Sequence, residues 1–223
     1  MHQGNITYDY LILTCGIQYQ RPQFQDELDE QKKGEFFQRE TPWNCLTLND
    51  DTEAAICLEK IEELTNKLKR ERKIIFYGHN IDCYCALQGL LEFGVKGSWI
   101  TLIQPPLQKC TSYENIFFND CEVYAEVMKS ISKNNIEVLV GWELIDWHVK
   151  SLPRGRMIEA IVIRLRGKTR TLDCDAFLNF HEKTINMRIF LGDCQISTST
   201  KFIILYTTAD CDSPMRSILF SDL

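Results

Sequence analysis

The turn Gly78-His79-Asn80-Ile81-Asp82-Cys83 stands where a strand can hand a phosphate to a helix. It follows the apolar run Ile74–Tyr77 and precedes a helical stretch through Ala86, Leu87, Leu90 and Leu91, which Gly94 and Gly97 stop. The next strand, Trp99–Ile103, is halted by Pro105 and Pro106, so this is a βαβ unit with parallel strands. Dinucleotide binding on such a unit needs G-x-G-x-x-G, so that backbone can approach a pyrophosphate lying on the helix N-terminus. It also needs an acid at the end of the second strand for the ribose. Only Gly78 meets the first requirement. Asn80 and Cys83 put side chains where close approach and tight packing are required, and Asp82 adds a negative charge beside the phosphate position. The second strand ends at Gln104 instead of Asp or Glu. The expectation is a nucleotide scaffold with a dismantled site.

Other constellations add no catalyst. The chain has no G-x-S-x-G, P-loop or H-E-x-x-H. Ten cysteines, at 15, 45, 57, 83, 85, 110, 121, 174, 194 and 211, form no C-x-x-C pair, and histidines 2, 79, 148 and 181 are scattered. No metal is expected, because Cys83 and Cys85 are too close together for an ordinary tetrahedral zinc clip. The bland account, reduced thiols acting as small hydrophobes, is preferred to a disulfide framework. His79 is the histidine best placed for function, and the favoured role is to satisfy the helix N-terminus. Trp142 and Trp147 read as core or interface residues.

The elements that would position these residues alternate strand and helix. Tyr8–Leu13 is an apolar strand closed by Thr14, Cys15 and Gly16. Ile17–Asn49 is mostly polar, with Pro22, Pro42 and an acidic cluster at Asp26–Glu30, and is expected to be a long surface connection. Asn49, Asp50 and Asp51 offer N-caps for a helix whose Ala54, Cys57, Leu58, Ile61, Leu64 and Leu68 recur at helical spacing. Glu122–Ser132 is another helix, leading to the strand Ile136–Val140. Glu143–Val149, Met157–Leu165 and Lys168–Leu172 then read as a meander with turns at Gly155 and Gly167. Asp175–Phe180 and Phe202–Tyr206 are further strands.

With 223 residues, 44% hydrophobic, 25% charged and a net charge of -6, the composition is that of a globular chain. The charge excludes an extended nucleic-acid footprint, and the Lys67–Lys73 run reads as the solvated end of a helix. No apolar run reaches the roughly 20 residues of a membrane span, and no signal peptide is expected. A soluble intracellular protein is expected, so the lone N-x-T at Asn5 means little.

Four segments resemble the pyridine nucleotide–disulfide oxidoreductases. Tyr8-Asp9-Tyr10-Leu11-Ile12-Leu13-Thr14-Cys15-Gly16 is similar to their Y-D-x-L-I-x-A-T-G strand. The Ile74–Ala86 turn sits where their NAD-binding βαβ begins, and Leu172–Phe180 resembles the strand closing that insert. Asp212-Ser213-Pro214 with Arg216 to Asp222 resembles their closing T-x-x-P-x-I-x-A-x-G-D segment. The resemblance implies an α/β, Rossmann-like FAD/NAD(P)-binding fold, a parallel sheet with flanking helices plus an antiparallel β meander, and an incomplete one. Residues 1–50 and 191–223 would be edges of an FAD-type domain, and 51–190 a degenerate NAD-type insert. Vestigial cofactor positions would be Gly16, Gly78, Asn80, Cys83, Gln104 and Asp222. The redox C-x-x-x-x-C and the first FAD-binding glycine motif are missing, so neither catalytic residues nor a bound cofactor are expected.

Longer stretches across residues 8–190 resemble the C-terminal region of the cilia- and flagella-associated protein 61 family. They are YDYLILTCGIQYQRP, NCLTLNDDTEAA, FYGHNIDCYCALQGLLEFGVKGSWITLIQPP and the Leu172–Phe180 segment. That resemblance implies a non-catalytic axonemal protein of the radial spoke base, within the calmodulin- and spoke-associated complex. Cilia- and flagella-associated proteins 91 and 251 would be its partners, and dimerisation is compatible with it. Nucleic acid and membrane are not expected partners. The rival readings are an FAD/NAD(P)-dependent oxidoreductase, or a nucleotide sensor in which Gly78 and the helix N-terminus grip an adenine nucleotide.

Overall fold

The computed structural model describes residues 11–13, 16–22, 41–67, 71–106, 120–153, 155–181, 183–185, 202–206 and 216–220. They fall into two units: Arg21–Glu182, and Met1–Gln20 together with Lys183–Leu223. In the second of these, strand β1 (Leu11–Leu13) pairs parallel with β12 (Phe202–Tyr206), which pairs antiparallel with β13 (Arg216–Phe220). Strands β2 (Ile17–Tyr19) and β11 (Lys183–Ile185) form an antiparallel pair, entered through Gly16 at φ +69°. The expected segments Tyr8–Tyr10, Thr14–Cys15 and Asp222 lie outside the described residues.

The unit Arg21–Glu182 is built on a five-stranded parallel sheet. Its strands are β3 (Cys45–Leu46), β4 (Ile74–Gly78), β5 (Ile100–Gln104), β6 (Glu137–Val140) and β10 (Ala176–Phe180), in the order β3-β10-β4-β5-β6. Helices α1 (Asp51–Lys67), α2 (Ile81–Glu92) and α3 (Cys121–Lys133) make the crossovers β3 to β4, β4 to β5 and β5 to β6. All three connections advance in the same direction along the sheet, so right-handed crossover places the helices on one face. The return from β6 to β10 runs the opposite way and carries the antiparallel meander β7 (Glu143–Leu152), β8 (Gly155–Leu165) and β9 (Lys168–Asp173). The meander covers the other face. β4 and β10 are therefore buried along their whole length and read as continuous apolar runs.

Sequence explains the helix ends. The Asp50 carboxylate accepts the Glu53 N–H at 2.7 Å, while Glu53 accepts the Asn49 N–H at 2.8 Å, a reciprocal cap on α1. Cys57, Ile61 and Leu64 then share its buried face. Asp120 caps α3 by accepting from Glu122 and Val123. Gly97 is required for a different reason: a Cβ there would stand 1.9 Å from the Asn134 carbonyl oxygen. None of the helices among the described residues is long and apolar enough to cross a membrane.

Between sheet and meander lies a core of Cys45, Ile75, Tyr77, Ile103, Trp147, Ile158, Ile161, Ile163, Cys174 and Phe177. Trp147 is thus core, as expected, and Trp142 packs against its rim. The expected surface connection Ile17–Asn49 is corrected at both ends. Ile17–Tyr19 is a strand, and Asn44, Cys45 and Leu46 are buried at the sheet edge. A two-residue strand has too few positions to show period-two alternation, so composition alone hid it. Asn44 does the joining. Its side-chain amide donates to Ile158 O (2.9 Å) and Asp175 O (3.0 Å), and its Oδ1 accepts from Ile158 N (2.8 Å). Its own carbonyl accepts from Phe177 N.

At the carboxyl ends of β4 and β10, His79 and His181 lie with ring centroids 6.4 Å apart, and His181 meets the Tyr77 ring edge-on at 5.2 Å. Burial, helped by His181, lowers the His79 pKa from the usual 6.5 to about 4. The native state thus prefers neutral imidazole, while the unfolded state binds a proton readily between those values. That contribution to stability is complete above pH 6.5 and lost as pH falls toward 4.

Two predictions follow from this packing. Asn44→Ala, which strands three buried backbone groups, should cost about 3 kcal/mol or more in urea unfolding followed by tryptophan fluorescence. The urea midpoint should fall on acidification from about pH 7 to about pH 4.5, and fall less in His79→Gln, which has no proton to take up.

Candidate functional site

The carboxyl end of a parallel sheet, at a strand-to-helix turn, is where a nucleotide site would be built. Every vestigial position there is used by the chain itself. Gly78 has φ +152°, and a Cβ on it would meet Phe180 Cβ at 2.7 Å and the Phe180 carbonyl at 2.8 Å. Its glycine character therefore serves the β4–β10 contact, where Gly78 is the register partner of Phe180 and Phe180 stacks on Phe76 at 5.8 Å. The glycine signal in the sequence is real, but its cause is strand packing.

Asn80 is the N-cap of α2. Its Oδ1 accepts the Cys83 N–H at 3.0 Å and its Nδ2 donates to the Phe180 carbonyl at 2.9 Å. The expected capping role of His79 belongs to Asn80, because Asn has a short acceptor that reaches the backbone two or three residues on. Asp82 sits in the first turn of α2, where its charge suits the helix dipole and would repel a phosphate. Cys83 is fully buried under the helix, and burial pushes its thiol well above the usual range.

Gln104, at the end of β5, is 1% exposed. Its Nε2 donates to the Tyr84 hydroxyl on α2 at 2.9 Å, and its backbone carbonyl accepts the Gly141 N–H. Burial raises the Tyr84 pKa, so the phenol stays protonated. The Gln104 Oε1 is buried with no hydrogen-bond partner among the described residues, and a side chain only 1% exposed leaves a ribose no access to that acceptor. These residues do not fit the pyrophosphate and ribose of a dinucleotide, and no step through one is derived. Gly16, in the other unit, opens β2 with nothing within 4 Å of its Cβ position.

Nor do the buried thiols among the described residues supply a nucleophile. Burial raises the pKa of Cys45 to about 12 and of Cys57 to about 11, and raises Cys174 strongly as well. Such thiols are inert packing groups. Cys85 and Cys121 are exposed. Among the described residues, no group of three or more His, Cys, Asp or Glu is placed to hold a metal ion.

No family model matches the chain. Solved structures that share its architecture include two reductases. The ferredoxin reductase for the CYP199A2 system from Rhodopseudomonas palustris is 12% identical with a TM-score of 0.52, covering 83% of this chain and 37% of that one. The covalent putidaredoxin reductase–putidaredoxin complex is 10% identical with a TM-score of 0.51, covering 96% and 47%. The chain thus spans less than half the length of these reductases. Likeness at this level carries the fold alone. That fold is a mixed α/β, Rossmann-like FAD/NAD(P)-binding fold, with its parallel sheet and antiparallel meander.

Proposed function

We propose that this chain is a non-catalytic interaction module of the ciliary and flagellar axoneme, corresponding to the C-terminal region of cilia- and flagella-associated protein 61. In that role it serves the radial spoke base within the calmodulin- and spoke-associated complex, with cilia- and flagella-associated proteins 91 and 251 as partners. Its contribution is to cilium and sperm-flagellum motility. Two lines support the reading. The long sequence stretches across residues 8–190 resemble that family. The second line is the double hydrogen bonding of Asn80, which spends the α2 cap and the Phe180 carbonyl on each other where a reductase would present backbone to phosphate. With the surface free of catalytic demands, a reductase fold can be reused for binding.

The likeness to two reductases favours one competing reading, a flavin- or nicotinamide-dependent oxidoreductase. Retained nucleotide sensing through Gly78 is disfavoured by the Phe180 contact.

Thermal shift and isothermal titration of the chain with NADH, NADPH, FAD and ATP should show no binding at about 1 mM ligand, a concentration that reveals even weak sites. Co-purification from ciliary axonemes should recover the spoke-base proteins. Saturable NADH or FAD binding, or a flavin spectrum, would overturn the proposal. Gly78→Val should lower the melting temperature by several degrees through overpacking against Phe180, in place of the selective affinity loss that a nucleotide sensor predicts.

A further inference from the structure

The meander has one long edge with an unusual charge. Its strand order is β7-β8-β9, so among the described residues nothing pairs with the outer edge of β9. Lys168, Thr169, Arg170 and Thr171 are all exposed. The hairpin joining β8 to β9 turns at Arg166 (φ +48°) and Gly167 (φ +80°), the two positive values of a type I′ turn. In a two-residue hairpin the flanking pair, Leu165 and Lys168, exchanges both hydrogen bonds, and alternate pairs repeat the pattern. Arg170 and Leu172 therefore point their backbone groups at β8. Thr169 and Thr171 point theirs outward, a ladder with no second rail.

Arg166 at the turn and Lys168 and Arg170 on β9 put cations at this edge, with Arg164 on the neighbouring β8 and the exposed Asp173 at the far end of β9, in a chain whose net charge is -6. Arg164 is paired with Glu143 at 2.8 Å and Arg170 with Glu137 at 3.2 Å, all at about half exposure. Among the described residues, no carboxylate pairs with Arg166 or Lys168 at the tip. Cations on an edge oppose pairing with a second copy of that edge, since like charges would face each other across the new ladder. They favour a strand of opposite charge. A nucleic acid is less well served, because the hairpin offers no aromatic platform and two of its cations are already neutralised.

We propose that the outer edge of β9 is a docking site for an extended acidic protein segment, added as a fourth strand to the meander. Backbone groups of Thr169 and Thr171 supply the ladder, and Arg166 and Lys168 meet acidic side chains of the incoming strand. The inference rests on the reading of the chain as an interaction module and names a surface and a class of partner for it.

The test uses the full chain and a fluorescein-labelled peptide with Glu and Val alternating, followed by anisotropy at about 50 mM salt, where charge pairs are little screened. Saturable micromolar binding is expected, weakening as salt rises. Thr171→Pro removes an outward N–H that β8 does not use, which an edge strand tolerates, and should weaken binding about tenfold or more. The double substitution Arg166→Glu/Lys168→Glu, wholly on the surface, should do the same. A peptide of equal charge with Glu and Pro alternating, unable to form a ladder, should not bind. Equal binding of the Glu-Pro peptide would overturn the proposal, as would tighter binding of a uridine oligomer or unchanged affinity in folded Thr171→Pro. Should Thr171→Pro unfold, the charge reversal and the Glu-Pro peptide decide alone. Cofactor titrations read a different part of the molecule, so failure here and failure of the module reading are separate outcomes.

Discussion

One buried amide ties the layers of the Arg21–Glu182 unit together. Asn44 precedes the shortest strand of the sheet, yet its side chain bonds both backbone groups of Ile158 in the meander and the carbonyl of Asp175 before β10. A side chain here takes the place of a strand neighbour, offering donor and acceptor at ladder geometry. Around it, Trp43 N donates to Arg156 O, Cys174 N to Glu159 O and Asp175 N to Lys73 O, so a belt of polar contacts closes the amino end of the core. Because the surrounding core is apolar, each of these groups would otherwise be stranded, and the sheet, meander and β3 hold their places jointly.

At the opposite end of the same sheet the polar groups also turn inward. Asn80, Gln104 and Gly78 sit at the carboxyl end of the parallel sheet, the end at which open α/β sheets place a crevice. A helix cap, a buried amide–phenol pair and a tight strand contact take up most of these groups, while the Gln104 Oε1 is buried with no hydrogen-bond partner among the described residues. The outer edge of β9, by contrast, is exposed and unpaired among the described residues.

Much of the architecture was legible along the chain. The three helices announced themselves by apolar spacing, the first also by its acidic cap at Asp50, and the meander by turns at Gly155 and Gly167. Ile74–Gly78 and Ala176–Phe180 read as buried strands because both faces of each are covered. β3 was invisible, since two residues carry no period, and so was the helix-capping choice between the neighbours His79 and Asn80.

Sequence by itself determined the order of the three helices and of the strands from β4 to β10, the fold class and the loss of the glycine pattern at residues 78–83, because these depend on local spacing and backbone chemistry. Tertiary structure decided what the surviving residues do. Gly78 answers to Phe180 about a hundred residues away. Gln104 answers to Tyr84 across a crossover, and Asn44 to Ile158 at a separation of 114 residues. Such partners are set by strand register and layer stacking, which only the folded chain brings into contact.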